Sequence, residues 1–211
     1  MAYVVSFSNQ KGGVGKTTSC VNLAAYIALS GYKVLLVDLD SQANASSALG
    51  VFDKKAENSI YTALCTGDIR PCIVKGADFD FVPSSRDLTG AELELNDKED
   101  REFVLKNALS AVLDDYDYIF IDCPPIDIVA DTQIIEKCAD RTVFVVRAGL
   151  LERSMIPELE NIYQQKRFKN LSLILNGTES AVGRYSYRYG YRYGYRYGYH
   201  NGYHNGYHNG Y

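Results

Sequence analysis

The residues KGGVGKTT at positions 11–18 have the types and spacing to hold a phosphate group. Gly12, Gly13 and Gly15 let the backbone turn tightly, so successive N–H groups can point at an anion. The Lys16 ammonium is placed to reach β- and γ-phosphates, and the Thr17 hydroxyl to ligate Mg²⁺. A helix opening here presents its positive end to the same anion. Gly12, Gly13, Val14, Gly15, Lys16, Thr17 and Thr18 are therefore candidate nucleotide-binding residues. The general pattern G-x-x-x-x-G-K-[ST] puts its first glycine at position 10, where this chain has Gln10. The loop is a variant, with a second lysine at Lys11. A plain glycine-rich turn is the ordinary alternative, but it does not account for the strand–loop–helix context.

Three acids extend the set. VLLVDLDSQANAS places Asp38 and Asp40 at the end of an apolar strand, on the same side and about 7 Å apart along an extended chain. Asp122 closes the apolar run YIFID, where a carboxylate acts on Mg²⁺ through water. The ordinary alternatives are a cap on the helix near residue 43 for Asp38 or Asp40, and a turn acid before CPP for Asp122. Lys16, Thr17, Asp40 and Asp122 together form a constellation for phosphoryl transfer, in which the protein neutralises charge and positions reactants.

These residues need a scaffold that brings distant strand ends together. Strands are predicted at 3–8, 33–38, 79–83, 116–122, 141–147 and 171–176. Helical spacing appears at 16–30, from Arg86 onward, at 100–113, at about 129–138 and at 153–167. Near-continuous apolar strands separated by amphipathic helices predict an α/β, doubly wound, mostly parallel sheet covered on both faces. LILNG puts Asn176 at a strand end, where a turn-forming Asn-Gly is the plain reading. A domain over 1–178 follows, with a disordered tail over 179–211. That tail repeats RYGY and then HNGY, and it holds 11 of the 18 tyrosines and all 3 histidines.

The net charge of −4 divides unevenly: the first 180 residues carry 18 basic and 26 acidic side chains, a net of −8. An acidic body argues against broad nucleic-acid binding. Arginines interleaved with aromatics in the tail are compatible with single-strand binding, although a solvated segment explains them as well. No apolar run is long enough for a membrane span, and the N-terminus lacks the basic region of a signal peptide. Five cysteines without a CxxC pair indicate reduced thiols and a cytoplasmic protein.

SNQKGGVGKTT resembles the deviant Walker A motif of the ParA/Soj and MinD partitioning ATPases. DLDSQANAS, FVPSSRDLTGAELEL and DYDYIFIDCPP resemble further segments of the ParA pattern, so the likeness covers residues 1–125. It departs at Ser41 and Ala43, where the family pattern has proline and glycine. The resemblance implies a P-loop ATPase using ATP and Mg²⁺, and a homodimer formed on ATP binding. It implies that Lys11 crosses to the partner's nucleotide, that Asp40 positions the attacking water and that Asp38 supports Mg²⁺ or its waters. A solvated loop lysine is the other reading of Lys11. From Ile126 the text instead resembles the closing part of the bacterial tyrosine kinases of capsule and exopolysaccharide export, the BY-kinases, with their tyrosine-rich tail. That likeness implies autophosphorylation and a membrane-spanning activator as partner. It also replaces the region where ParA proteins contact DNA, so DNA is not an expected partner. In both families Asn176 falls where MinD-like proteins contact adenine.

Overall fold

The computed structural model describes residues 1–51, 58–90, 100–125 and 131–178. Strands β1 (Tyr3–Ser8), β2 (Val34–Asp38), β3 (Asp80–Val82), β4 (Tyr118–Asp122), β5 (Arg141–Arg147) and β6 (Leu171–Asn176) form one sheet in the order β3-β2-β4-β1-β5-β6. Every pairing between them is parallel. Helices α1 (Lys16–Leu29), α2 (Asn44–Ala48), α3 (Ile60–Thr66), α4 (Val104–Ser110), α5 (Asp131–Cys138) and α6 (Ile156–Gln164) connect them.

Side-chain alternation sorts the strands' apolar residues onto two faces. Val4, Leu35, Val37, Ile119 and Ile121 share a core with Ile60 and Leu64 of α3, Leu105 and Leu109 of α4, and Ile135 of α5. Val5, Phe7, Leu36, Phe120, Val143 and Val145 share the other with Cys20 and Ala24 of α1. Both faces are covered, which is why β2 is buried along its whole length and reads as an unbroken apolar run.

The predicted strands and the helices at 16–30 and 129–138 correspond to elements within a few residues. The strand expected over 79–83 is confined to Asp80–Val82, because Pro83 has no N–H for the ladder; its carbonyl accepts from Ile60 N–H instead. The helix expected over 100–113 begins as a 3₁₀ turn at Arg101–Phe103 and ends at Ser110. Asp114 and Asp115 beyond it would set negative charge at a negative helix end. The helix expected over 153–167 also starts as a 3₁₀ turn, with Pro157 seated in the first turn of α6. Residues 88–90 are helical; the remainder of the helix expected after Arg86 lies outside the described residues, as do the junction at 126–130 and the tail. Helix α3, absent from the sequence-based assignment, is held by burial of Ile60, Ala63 and Leu64 rather than by its own propensity. Among the described residues, no helix is long and apolar enough to cross a membrane.

Candidate functional site: a phosphate loop at the strand ends

The carboxyl ends of β1, β2, β4, β5 and β6 point to one edge of the sheet, the usual place for ligands in open α/β folds. β1 delivers the chain into the loop. Buried Asn9 donates from Nδ2 to Val145 O of β5 at 2.5 Å, and its Oδ1 accepts the Lys11 N–H at 2.7 Å. Gly13 (φ 72°) and Gly15 (φ 96°) take the left-handed conformation that favours glycine. Gly15 is constrained a second time, because a Cβ there would run into the Asn176 side-chain amide. Lys16 opens α1, is 7% exposed, and donates from Nζ to Lys11 O at 3.2 Å. Val14 is buried, Thr17 half-buried, and Gly12 and Thr18 exposed.

The acids differ sharply from one another. Asp38 and Asp122 are register partners on β2 and β4, and both are fully buried. Asp38 accepts from Ser46 N–H (2.8 Å), Ser46 Oγ–H (2.7 Å) and Asp40 N–H (3.2 Å). A carboxylate has roughly four acceptor sites, so most of Asp38 is committed to tying α2 to β2. Burial raises its pKa, and the Ser46 hydrogen bonds oppose that rise. Asp40 is 6% exposed, and its Oδ1 accepts from Gln42 N–H at 2.9 Å.

Neither Asp122 oxygen receives a well-formed hydrogen bond, although the Thr17 hydroxyl lies close enough to favour the charged form. Burial pushes the Asp122 pKa up to about 7; Asp38 and Asp40 add to the rise, and Thr17 and Lys16 resist it. The same burial lowers the Lys16 pKa against the pull of Asp122 and Asp40. A buried carboxylate without a partner, beside a hydroxyl, is a donor set suited to a hard divalent cation. Among the described residues, no group of three or more His, Cys, Asp or Glu could hold a metal. Mg²⁺ does not require one, because it takes one or two carboxylates and completes its shell with phosphates and water.

A cleft of 660 Å³ runs over the loop, lined by Gly13, Lys16, Thr17, Asp40, Arg147 and Asn176 among others. A second cleft, of 590 Å³, lies at the opposite strand ends, where Lys33, Arg70 and Lys75 face Asp78, Asp80 and Asp115. Of the two, the first brings the glycine loop, the buried Lys16 and the Asp40 carboxylate together.

The sequence of residues 2–175 matches a family model described as an AAA domain. The chain belongs to this AAA domain family. It is 48% identical over 132 residues to the chromosome-partitioning ATPase Soj of Treponema pallidum, a match covering 59% of this chain and 49% of that protein. The chain thus spans about half the length of the curated relatives it matches. Likeness in structure reaches further along the chain. A cobyrinic acid a,c-diamide synthase of Mycobacterium smegmatis, solved with a bound ATP analogue and magnesium, superposes with a TM-score of 0.71 at 32% identity, covering 82% of this chain and 72% of that one. A putative plasmid partition protein of Borrelia burgdorferi bound to AMPPNP gives 0.69 at 28% identity, covering 82% and 75%.

Within this family fold, Gly12 through Thr18, Asp40 and Asn176 all line the cleft except Val14, and Asp122 lies buried at the end of β4. Lys11 extends away from the loop to Glu152 Oε1 at 3.1 Å, an exposed pair. Asn176, expected beside adenine, donates from Nδ2 to Val14 O at 2.9 Å. Sequence reasoning missed Asn9, Ser46 and Arg147. Arg147 ends β5 and donates from Nη1 to Gly13 O at 2.9 Å. At a strand terminus such an arginine reads as ordinary surface charge, and no local signal marks it.

Proposed function

We propose that the chain is a Mg²⁺-dependent ATPase of the ParA/Soj type. The observation that carries this reading is the meeting of a glycine loop and buried Lys16 with the unpartnered carboxylate of Asp122. The names and bound nucleotides of its relatives and structural neighbours support it. Lys16 neutralises charge on the β- and γ-phosphates, while the loop amides hold their oxygens. Thr17 and Asp122 hold Mg²⁺, with Asp38 behind them as the brace of α2. When bound, the ion offsets phosphate charge. Asp40, fixed by Gln42 N–H, orients a water whose oxygen bonds to the γ-phosphorus as the bridging P–O bond breaks, giving ADP and phosphate, with the water's proton lost to the released phosphate and solvent.

ATP promotes a homodimer in this reading, with Lys11 reaching the partner's nucleotide. Its exposed pair with Glu152 is worth only about 0–1 kcal/mol, so Lys11 is released at small cost. We place the protein in the cytoplasm, where ATP and Mg²⁺ are supplied and where the buried thiols of Cys20, Cys72, Cys123 and Cys138 remain reduced. The tyrosine repeat of residues 179–211 favours a second reading, a tyrosine autokinase working with a membrane-spanning activator.

Incubation of the full chain with γ-labelled ATP and Mg²⁺ separates the two. The ATPase reading predicts label in free phosphate, lost in Asp40→Ala. Label on protein tyrosine, lost in Lys16→Ala, would replace it with the kinase reading.

A further inference from the structure

Arg147 and Asn176 are register partners at the ends of β5 and β6. Paired residues of neighbouring parallel strands project to the same face. Their side chains reach consecutive carbonyls of the phosphate loop, Arg147 Nη1 to Gly13 O and Asn176 Nδ2 to Val14 O, both at 2.9 Å. A trans peptide unit is planar, so its N–H points opposite to its C=O. Drawing the carbonyls of residues 13 and 14 toward β5 and β6 therefore turns the N–H groups of Val14 and Gly15 away from those strands.

The two donors are themselves held in place. Asn176 Oδ1 accepts Gly177 N–H at 2.8 Å, which leaves Nδ2 to face Val14. Ala148 N–H donates to Asn176 O at 2.8 Å and locks the two strand ends together. Gly177 follows Asn176 with a left-handed φ of +68°, which favours glycine at the turn beside the arginine. Gly15 leaves the room that the Asn176 amide occupies. Asn9 fixes the start of the loop to β5 through Val145 O. The loop is thus tied at its beginning and at its two central peptides, and each tie runs to β5 or β6.

We propose that Arg147 and Asn176 act as positioning residues, a two-point clamp on the carbonyls of Gly13 and Val14 that holds the loop amides ready for an anion. The clamp rests on the assignment of the loop as a phosphate site, yet it exists in the chain without nucleotide and is measured there. It gives Asn176 a role independent of adenine, and it assigns Arg147 one that differs from direct contact with phosphate.

The test uses the full chain without nucleotide, as wild type, Arg147→Ala, Asn176→Ala and the double variant. Hydrogen exchange is followed for the two hydrogen-bonded amides that bracket the clamped peptides, Lys11 N–H on Asn9 Oδ1 and Ser19 N–H on Gly15 O, with the β2 and β4 amides as the folding control. Each single variant should speed loop exchange about fivefold, the equivalent of one net hydrogen bond of about 1 kcal/mol, and the double variant more. Arg147→Lys, which keeps a donor, should recover part of the protection. ATP titration of the same proteins should show a higher KM, with Arg147→Lys recovering part of the loss. Unchanged loop exchange in the double variant overturns the clamp. So does weaker ATP binding by Arg147→Ala with loop exchange unaltered, because the arginine would then be a direct phosphate ligand. Faster loop exchange in the variants of a chain that ignores ATP supports the clamp while removing the ATPase reading.

Discussion

Leu36 of β2 and Leu173 of β6 are both mid-strand leucines in the same parallel sheet. Leu36 is fully buried, with neighbouring strands on both sides, and shares the α1-side core with Phe7 and Phe120. Leu173 is 61% exposed on an edge strand, and Leu175 beside it is 59% exposed. The difference extends to the segments they represent. Loop, acids and both apolar clusters are built mainly from residues before 126, whereas the β5–α6–β6 segment adds one covered strand and one half-open one. Its contribution to the site is the pair Arg147 and Asn176 at its strand ends, the Val145 carbonyl that anchors Asn9, and Glu152, which pairs with Lys11. Stability and chemistry thus lie largely in the first segment, and loop geometry is adjusted from the second.

The largest effect should come from Asp122, the buried acid of the dense segment. Its folded pKa, about 7, lies above the unfolded value of about 3.9, so the native state binds the proton more tightly. Below about pH 4 the group is protonated in both states and contributes nothing. From there to about pH 7 stability falls as pH rises, and above pH 7 the whole cost, about 4 kcal/mol, is present. Asp122→Asn should flatten that slope and be more stable than wild type at pH 8, while losing Mg²⁺-dependent hydrolysis. A shallower slope from Asp38, whose pKa burial also raises, should remain. Urea unfolding at pH 5, 6.5 and 8 checks this; parallel profiles for the two proteins would show that Asp122 is not strained.

A contrast of about the same size, independent of pH, separates the two leucines. Leu36→Ala removes a buried side chain from between strands and helix and should cost about 2–5 kcal/mol. Leu173→Ala should stay within about 0.5 kcal/mol, as for exposed positions. Comparable losses at the two sites would mean that β6 is covered in solution and that the division between the segments is false.

The features legible in the sequence were those with local signals. Short unbroken apolar runs such as VLLVD and YIFID, with β-branched residues and turn signals after them, read as strands covered on both faces, and the glycine spacing before Lys16 fits a loop between strand and helix. What stayed hidden depends on contacts between distant residues. Ser46 gives no sign that it braces Asp38, since NASSALG reads simply as a helix start. Asn9 and Arg147 acquire their roles only when β5 is laid against β1, across more than a hundred residues of chain. Lys11 meets Glu152 for the same reason. Helix α3 has no capping box and contains β-branched residues, so burial alone accounts for it.

The central claim is that Lys16, the glycine loop and Asp122 form one Mg·ATP site. Calorimetric titration of the full chain with ATP, with and without Mg²⁺, tests it most directly when wild type is set against Lys16→Ala. Saturable binding that is strengthened by Mg²⁺ and abolished in Lys16→Ala is the predicted result. Equal affinity in the two proteins, or no response of wild type to ATP in either condition, would contradict it.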